Sequence, residues 1–543
     1  MDGSSKEIKI TIVTDDGKTN IGSVEDQERN ITVTHDSSMT LMSTLLKNGL
    51  MQGSFCGGRG DCGRCRVQFI RGVMIPTMVE RSVMSAEELR QGYRLSCMAR
   101  PKDDCVIRLA FAEEKEISII SELIAVPEKS DQLSQQNVLS KKQTTCVSDT
   151  GVIEEHADST KIAAVTKAMI AVDLGTTTIV MQLVEIGTGR IIDTYCSMNP
   201  QRRYGSDVLS RIKASCDGQR EELQKLVLSV LKVGVMQFEK RGMDIQAMCI
   251  AGNTTMEHLL MGYNVLSLGC SPFTPVEIGL QVFEDSDWDF TVWIAPGIST
   301  FVGGDIVAGL YALDLLPDIK SIDYHGQYEN MDKRFDDNSN RDMKLLIDLG
   351  TNGEMAITDG RRMIVTATAA GPAFEGGADA GIVGSDMIAN TAELLQRGIM
   401  DETGLLDEPW FSEGVSVGET AVRLFQKDIR ALQMAKAAVR AGVEILWKNM
   451  GQPKIGQVYL AGGFGYYLNV EAAFRIGLLP TDMRGKVMAA GNTSLAGAYR
   501  IGCDLLTGKT DKERLEKRLS SIESINLAEQ EGFDTLYVRH MDF

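Results

Sequence analysis

Four cysteines are the side chains in this sequence whose types and spacing are best suited to chemistry. Cys56, Cys62 and Cys65 lie in the glycine-rich segment FCGGRGDCGRC, and Cys97 follows farther on in YRLSCMARP. A tight group of three thiolates with one distant partner supplies the four ligands of a [2Fe–2S] centre. The glycines let the backbone wrap closely around a cluster and direct N–H groups at its sulfurs. We therefore predict a [2Fe–2S] cluster with these four cysteines as its ligands.

Zinc, disulfide and dinucleotide sites fit the spacing of this segment less well. A zinc site favours two separated C-x2–4-C pairs, and only Cys62 and Cys65 form one. Disulfide bonds need an oxidising compartment, which nothing upstream of the loop indicates. The GxGxxG pattern from Gly58 to Gly63 would bind a dinucleotide only between a strand and a helix. Cys105 competes as fourth ligand, but the alternation around it predicts a thiol within a strand.

The length and composition indicate a soluble chain of several domains. Its 543 residues exceed the roughly 250–300 at which single hydrophobic cores stop growing. A net charge of −18 argues against nucleic acid and anionic membranes as partners. No run approaches the roughly 18 apolar residues of a membrane span, and the N-terminus lacks the apolar segment of a signal peptide. We expect a cytoplasmic protein with reduced thiols.

The N-terminal region predicts a small mixed domain around the cysteine loop. Residues 8–14 and 30–34 alternate as strands, 40–50 predicts a short helix ended by Gly49, and RVQFIRG predicts another strand. The loop resembles that of the ferredoxins with a single [2Fe–2S] cluster, which have a β-grasp fold. Residues 1–112 are accordingly assigned to a ferredoxin-like domain. Residues 113–167 are rich in polar side chains and predict a flexible linker, because they bury too little apolar surface to offset ordering.

Residues 168–543 contain an internal duplication. MIAVDLGTTTIVMQLV aligns with KLLIDLGTNGEMAIT, and MCIAGNTTMEHLL aligns with VYLAGGFGYYLN in the same relative order. Such a repeat predicts two lobes facing one cleft, over about 168–342 and 343–543. A polar insert, roughly Ser321 to Asp342, is expected to form a surface loop.

Each repeat begins with a segment that could bind a polyphosphate. An apolar strand ends in Asp and is followed by Gly and hydroxyl residues, so backbone N–H and Thr hydroxyls could contact phosphate while the Asp serves hydrated Mg²⁺. The residues are Asp173, Gly175, Thr176 and Thr177 in the first copy, and Asp348, Gly350, Thr351, Asn352 and Gly353 in the second. Two copies could grip a polyphosphate from opposite sides.

These segments resemble the phosphate-1 and phosphate-2 motifs of the acetate and sugar kinase, Hsp70 and actin superfamily. LAGGFG resembles the adenosine motif of that superfamily, with Gly462 and Gly463 close to the base and ribose. The resemblance implies a duplicated actin/Hsp70-like α/β ATPase domain that binds ATP. A Walker-like stretch at 502–510 has Cys503 in place of the first glycine and follows a predicted helix, so we set it aside. His258 in the helix-like TTMEHLL predicts packing.

The order of ferredoxin domain, linker and duplicated ATPase resembles the reductive activators of corrinoid proteins. IDLGTNGEMAI, ATAAGPAFEGG and QKDIRALQMAKAAVRAGVEIL are similar to segments of that family. The resemblance implies a homodimer that takes electrons from a low-potential donor such as ferredoxin or flavodoxin. It also implies one-electron reduction of Co(II) to Co(I) in the corrinoid protein of a methyltransferase system, assisted by ATP hydrolysis. No residue is assigned a catalytic role.

Three alternatives stay open at this point. The chain could be a small-molecule kinase with an attached ferredoxin domain, with Asp305 as the base. It could be a nucleotide-gated redox sensor that binds ATP without turnover. It could resemble the dehydratase activators, whose [4Fe–4S] cluster lies at a dimer interface, although the isolated cysteines after residue 168 argue against this.

Protein purified without air is expected to contain iron and sulfide in a ratio of about 2:2 per chain, because a [2Fe–2S] centre holds two of each. Cys62→Ser removes one ligand and should abolish the cluster absorption. Chemical analysis of iron and sulfide, with a visible spectrum, measures both effects. A wild-type chain without either element would exclude the cluster.

Overall fold

The structure, a computed structural model of the chain, divides into two compact units. The first comprises Met1–Lys115 and Asn199–Gln219, and the second comprises Glu116–Met198 and Arg220–Phe543. The described residues are 7–13, 31–48, 50, 60, 65–72, 74–109, 166–205, 207–284, 287–317, 342–350, 352–370, 384–416, 423–462 and 468–543. None of the helices in these ranges combines the length and hydropathy that a bilayer crossing requires.

Several sequence predictions fall outside these ranges. They concern Gly49, nearly all of the 113–167 linker, and the polar insert before Asp342. The domain boundaries therefore stay predictions, although the first strand of the second unit already begins at Lys167.

The first unit contains a five-stranded mixed sheet with short helices. The strands are β1 (Glu7–Val13), β2 (Ile31–Asp36), β3 (Arg66–Arg71), β4 (Tyr93–Leu95) and β5 (Cys105–Leu109). The helices are α1 (Leu41–Lys47), α2 (Met78–Val83), α3 (Ala86–Arg90) and α4 (Val208–Ala214). The strand order is β2-β1-β5-β3-β4, in which β1 and β5 are parallel and the other pairs are antiparallel.

Alternation of apolar residues explains how this sheet forms its core. Ile8, Ile10 and Ile12 of β1 all point to one face and are buried. Leu41 and Leu45 lie one helical turn apart on α1 and pack into the same core as β1. The predicted β-grasp fold is confirmed.

Two helices between β3 and β4 were not predicted from the sequence. Each begins with a capping box, in which a hydroxyl residue and the Glu three positions later bond each other's backbone N–H groups. The pairs are Thr77 with Glu80 and Ser85 with Glu88. The T-x-x-E and S-x-x-E spacing was therefore a readable signal.

The second unit is built largely from two six-stranded sheets. Its strands are β6 (Lys167–Leu174), β7 (Thr178–Glu185), β8 (Ile191–Met198), β9 (Asp244–Gly252), β10 (Gln281–Phe283), β11 (Thr291–Ile294), β12 (Met343–Leu349), β13 (Gly353–Thr358), β14 (Met363–Thr368), β15 (Val415–Ser416), β16 (Arg423–Leu424), β17 (Ile455–Ala461), β18 (Val487–Gly491) and β19 (Glu523–Ser524). Its helices in the described ranges are α5 (Arg220–Glu239), α6 (Thr254–Leu260), α7 (Leu266–Gly269), α8 (Gly304–Ala312), α9 (Gly384–Gln396), α10 (Trp410–Glu413), α11 (Gln426–Asn449), α12 (Val470–Arg475), α13 (Thr493–Leu506), α14 (Lys512–Leu519) and α15 (Phe533–Arg539).

The topology of the two sheets confirms the duplication. The first sheet has the order β10-β11-β9-β6-β7-β8, and the second has the order β18-β17-β12-β13-β14-β19. In each repeat a three-stranded antiparallel meander, β6-β7-β8 or β12-β13-β14, is extended by two parallel strands on its first-strand side. The segments aligned by sequence, β6 with β12 and β9 with β17, therefore occupy equivalent positions.

Helices α8 and α13 join the two repeats by packing directly against each other. Each helix follows the second of the two parallel strands that extend the meander of its repeat, β11 for α8 and β18 for α13. At the crossing Gly497 lies against the backbone of Ala308, and Gly309 lies against the side chain of Thr493. Buried residues of both sheets and both helices form one shared hydrophobic cluster. The cleft is therefore bounded by two lobes that share a core.

Gly497→Ala should destabilise the second unit, because its Cβ would collide with the Ala308 carbonyl. Helix propensity alone would favour Ala over Gly by about 1 kcal/mol, so the sign of the effect reports the packing. We expect a loss of about 1–3 kcal/mol, which is typical of overpacked cores. Thermal unfolding compared with wild type measures it, and a variant of equal or higher stability would contradict this account of the crossing.

Candidate functional site

Two of the four predicted cluster ligands lie in the described residues, and they face each other. Cys65 and Cys97 are buried, with their Sγ atoms 3.3 Å apart. A disulfide would need about 2.05 Å. Two sulfurs on one tetrahedral metal lie roughly 3.8 Å apart when the bonds are about 2.3 Å. The pair thus fits a shared metal atom, while Cys56 and Cys62 lie outside the described residues and stay predicted ligands.

The backbone around Cys97 is held by bonds from three elements. The Ser96 N–H donates to the Cys65 carbonyl at 2.8 Å, and the Met42 N–H of α1 donates to the Ser96 carbonyl at 2.9 Å. The Leu95 N–H donates to Glu80 Oε1 at 2.8 Å. Glu80 is only 1% exposed and also caps α2, so one carboxylate fixes both α2 and the turn that carries Cys97.

Gly60 and Cys105 bear on the other sequence predictions for this loop. Gly60 has φ +86°, and a Cβ there would lie 2.9 Å from a methyl of Val79, so the close approach of the loop requires glycine. Cys105 lies in β5 and packs in the main core of the sheet, whereas Cys65 and Cys97 belong to a separate cluster. Burial raises the pKa of the Cys105 thiol to about 11. It is a strand thiol, as its alternating neighbours predict.

The second candidate site is the cleft between the repeats, where three aspartates approach one another. Asp173 lies at the end of β6, Asp348 at the end of β12, and Asp305 in the first turn of α8. Burial raises the pKa of all three, and the neighbouring carboxylates raise it further for Asp305, to about 7, and for Asp348, to about 8. Like charges this close in a low-dielectric cleft cannot all ionise at no cost. This arrangement of carboxylates therefore favours binding of a cation in the cleft.

Two buried glutamates, Glu257 and Glu354, lie near these aspartates. Glu257 is 4% exposed and Glu354 is 7% exposed. Burial, reinforced by the charge of Asp305, raises the pKa of each far above its ordinary value. Glu257 accepts a bond from the Gly252 N–H at 3.1 Å, and the absence of a side chain at Gly304 leaves room for its carboxyl group. Glu257 thus connects the end of β9 to the start of α8, where Asp305 lies.

Asp173 differs from the other two aspartates because it is held by two side-chain donors. Asn492 Nδ2 donates to Asp173 Oδ2 at 2.8 Å, and Ser494 Oγ donates to Asp173 Oδ1 at 2.9 Å. The neighbouring Thr176 Oγ1 accepts a bond from Asn253 Nδ2 at 2.9 Å. The hairpin between β6 and β7 is therefore fixed from both repeats.

Gly462, in the predicted adenosine motif, lies close to the second hairpin. Gly462 has φ +82°, and a Cβ there would run into Asp348 Oδ1 and the Leu349 carbonyl. The hairpin between β12 and β13 is closed by a bond from the Gly350 N–H to the Asn352 carbonyl at 2.9 Å. The structure thus brings Asp173, Asp348 and Gly462 into one cleft, and nucleotide binding by these segments stays a prediction. Gly463 and Thr351 lie outside the described residues.

The structure agrees with the sequence analysis at two residues that were given no functional role. Cys503, in the Walker-like stretch, lies within helix α13. His258 is 1% exposed, its Nδ1 lies 2.7 Å from the Thr254 carbonyl, and its Nε2 accepts from the Val276 N–H at 3.0 Å. Both ring nitrogens serve backbone groups, which makes His258 a packing residue.

Sequence reasoning missed four residues of this cleft, namely Glu257, Glu354, Asn492 and Ser494. One signal was available for the last two. GNTT at 252–255 and GNTS at 491–494 are the same short motif, and each ends a strand and begins a helix, although the two strands, β9 and β18, do not occupy equivalent positions in the repeats.

Three family models match the chain. A model described as a 2Fe-2S iron–sulfur cluster binding domain matches residues 24–102. A model of the RACo middle region matches residues 168–317. A model of the C-terminal ASKHA domain of RACo matches residues 342–380 and 378–543. The two RACo models together span most of the second unit, and the fold predicted from the sequence, a ferredoxin domain followed by a duplicated ATPase fold, is confirmed.

Individual proteins show the same likeness. The corrinoid activation enzyme RamQ of Eubacterium limosum is 29% identical over 398 residues, 61% of this chain and 63% of RamQ. The [Co(II) methylated amine-specific corrinoid protein] reductase of Methanosarcina barkeri is 20% identical over 444 residues, 69% of this chain and 76% of that protein. The alignment with RamQ thus spans somewhat less than two thirds of that protein's length.

A solved structure extends this comparison to the fold of nearly the whole chain. It is described as a reductive activator for corrinoid, iron–sulfur protein, and it superposes with a TM-score of 0.59 at 24% identity. The superposition covers 99% of this chain and 98% of that chain. At this identity the likeness concerns the fold.

Asp348→Asn should stabilise the protein in the absence of nucleotide and Mg²⁺, and the gain should grow between pH 6 and 8. The pKa of Asp348 is about 8 in the folded chain and about 3.9 when unfolded, so its contribution to stability is lost as pH rises toward 8. Thermal unfolding of wild type and variant across this range measures the difference.

Asp401→Asn is the matched control for this prediction. Asp401 is exposed, and local hydrogen bonds lower its pKa, so its replacement should give no gain that grows toward pH 8. An Asp348→Asn variant that is equally or less stable than wild type at pH 8 would contradict the electrostatic description of the cleft.

Proposed function

Because the chain belongs to the RACo family, whose middle region and C-terminal ASKHA domain it carries behind an iron–sulfur domain, we propose that it is an ATP-dependent reductive activator of a corrinoid protein. Its substrate is Co(II), which gains one electron to become Co(I) for methyl transfer. One observation carries this proposal. The same chain holds the close pair Cys65 and Cys97 and, between its two repeats, a cleft lined by Asp173, Asp305 and Asp348.

In the first unit the residues of the chain hold and shield the cluster. When bound, a [2Fe–2S] cluster supplies one-electron chemistry at a potential on the order of −400 mV. Cys65 and Cys97 supply two of its thiolates, Cys56 and Cys62 are proposed as the others, and Glu80 fixes the turn that carries Cys97. A low-potential protein such as ferredoxin or flavodoxin is the proposed electron donor.

In the second unit the three aspartates suit a hydrated Mg²⁺ ion that accompanies ATP. Mg²⁺ keeps several of its waters and binds proteins through one or two carboxylates together with substrate phosphates. Within the described ranges no three His, Cys, Asp or Glu side chains are already arranged around a common metal position. We therefore propose that Asp305 and Asp348 meet the ion through water or directly once ATP phosphates are present, while Asp173 stays on its two donors.

ATP can assist the electron transfer only by favouring one conformation over another. For one electron each 59 mV is a tenfold change in equilibrium, so a Co(II)/Co(I) couple below the cluster potential accumulates little product without help. Shifting a conformation from 1:99 to 99:1 takes roughly 5.5 kcal/mol of differential affinity. We propose that closure of the two lobes on ATP changes the surface that grips the corrinoid protein. The homodimer and the cytoplasmic location stay part of the proposal.

The decisive experiment mixes reduced protein, Mg²⁺-ATP and a Co(II) corrinoid protein without oxygen and follows the cobalt spectrum. Co(I) should appear only when ATP is present, and Cys62→Ser should abolish it. Cys270→Ser is the matched control, because Cys270 is exposed and lies in the second unit. Equal Co(I) formation with and without ATP would refute the ATP dependence. ATP turnover that stays flat on addition of the corrinoid protein would refute the coupling.

One observation supports a second candidate, a small-molecule kinase. Asp305 has a pKa of about 7, which suits a general base near neutral pH. Incubating the full chain with Mg²⁺-ATP and panels of sugars and carboxylic acids tests it. A phosphorylated product lost in Asp305→Asn would favour the kinase, and hydrolysis to ADP and phosphate alone would exclude it.

A further inference from the structure

Two asparagines, Asn253 in the first repeat and Asn492 in the second, begin helices with the same capping geometry. Asn253 Oδ1 accepts from the Met256 N–H at 3.0 Å at the start of α6. Asn492 Oδ1 accepts from the Leu495 N–H at 2.8 Å at the start of α13. Because each Oδ1 caps its own helix, the amide orientation is set, and each Nδ2 is left to donate elsewhere.

Both Nδ2 groups donate to the same hairpin, although they come from different repeats. Asn253 lies in the same repeat as the hairpin between β6 and β7 and donates to Thr176 Oγ1. Asn492 donates to Asp173 across 319 positions of sequence, and Ser494, two residues farther along, donates to the other oxygen of Asp173. Both oxygens of Asp173 are therefore held by side chains that belong to the second repeat in sequence.

The equivalent helix of the first repeat carries a different chemical group. Ser494 is the second residue of α13, and the second residue of α8 is Asp305. Thus α13 brings two donors to the aspartate of the first hairpin, whereas α8 brings a carboxylate toward Asp348, the aspartate of the second hairpin. The duplicated cleft is chemically unequal in its two halves.

We infer that Asn492 and Ser494 are positioning residues that hold the Asp173 carboxylate from the start of α13 and thereby fix the direction in which it faces Mg²⁺-ATP. This inference rests on the proposed function, because it assigns a role within the ATP cleft. Asn492 and Ser494 act through Asp173 and need not touch the nucleotide. A carboxylate held on both oxygens is fixed in direction, and fixed groups bind a polyphosphate complex without a further ordering cost.

Three substitutions separate this role from simple helix capping. Asn492→Asp keeps an oxygen that can accept from the Leu495 N–H but cannot donate to Asp173. Ser494→Ala removes one donor, and Ser494→Thr retains the hydroxyl. The matched control is Asn264→Asp, since Asn264 is an exposed residue whose Oδ1 accepts from the Leu266 N–H at 3.0 Å, outside the cleft.

Two measurements on the full-length protein test the inference. The first is the affinity for Mg²⁺-ATP by calorimetry, which should fall about tenfold or more in Asn492→Asp and several-fold in Ser494→Ala, the range of a lost charge-assisted bond. Ser494→Thr and Asn264→Asp should stay within about twofold of wild type. The second is hydrogen exchange without nucleotide, which should be faster at residues 173–178 in the two weakened variants only.

The outcomes distinguish this inference from the proposed function. If wild type binds Mg²⁺-ATP and Asn492→Asp and Ser494→Ala match it in affinity and exchange, this inference is wrong and the proposed function stands. If Ser494→Thr is as weak as Ser494→Ala, the hydroxyl is not what acts, and the inference is also wrong. If wild type itself does not bind Mg²⁺-ATP, the proposed function fails and the inference fails with it.

Discussion

The mutual repulsion of carboxylates in a half-buried cleft is the constraint on which the rest of the second unit depends. Asp305 and Asp348 approach each other from different repeats, with Glu257 and Glu354 buried behind them. Ionisation of these groups lowers the stability of the folded chain, and packing elsewhere in the second unit must offset that loss. A bound cation would offset that cost.

The shared core of the two lobes supplies that packing. The crossing of α8 and α13 is tight because glycines at the contact let the helices approach closely, and both helices begin at the cleft. The same helices therefore bury apolar surface along their length and present polar side chains at their first turn. Because the first turns of α8 and α13 lie at the cleft, any shift there would also shift the packing between the two helices.

Much of this could be predicted from the sequence, because the decisive signals are local. The cysteine spacing, the strand–Asp–Gly hairpins at Asp173 and Asp348, and the repeated order of segments are all readable within short windows. The aligned segments predicted two similar repeats, and in the structure β6 pairs with β9 in the same parallel way as β12 pairs with β17. Helices α2 and α3 were missed because, at six and five residues, they are too short to show an apolar period, and only their capping boxes mark them.

What could not be predicted arises from contacts between distant parts of the chain. Nothing near Asn492 or Ser494 indicates that they meet Asp173, since the contact exists only after both repeats have folded and their helices have crossed. The burial of Glu257 and Glu354 is likewise a property of the assembled cleft. Periodicity shows that such residues lie on an element, but which carboxylate becomes costly depends on the neighbours that folding brings to it.

The closeness of the two sulfurs in the first unit has a chemical consequence of its own. With their turn held by Glu80 and α1, the Cys65 and Cys97 thiols need to move by little more than 1 Å to reach the bonding distance of about 2.05 Å in a disulfide. Oxidation of this pair to a disulfide by oxygen, before any iron is bound, would remove two of the four predicted ligands at once. Binding of iron and oxidation of these two thiols by oxygen are therefore competing reactions.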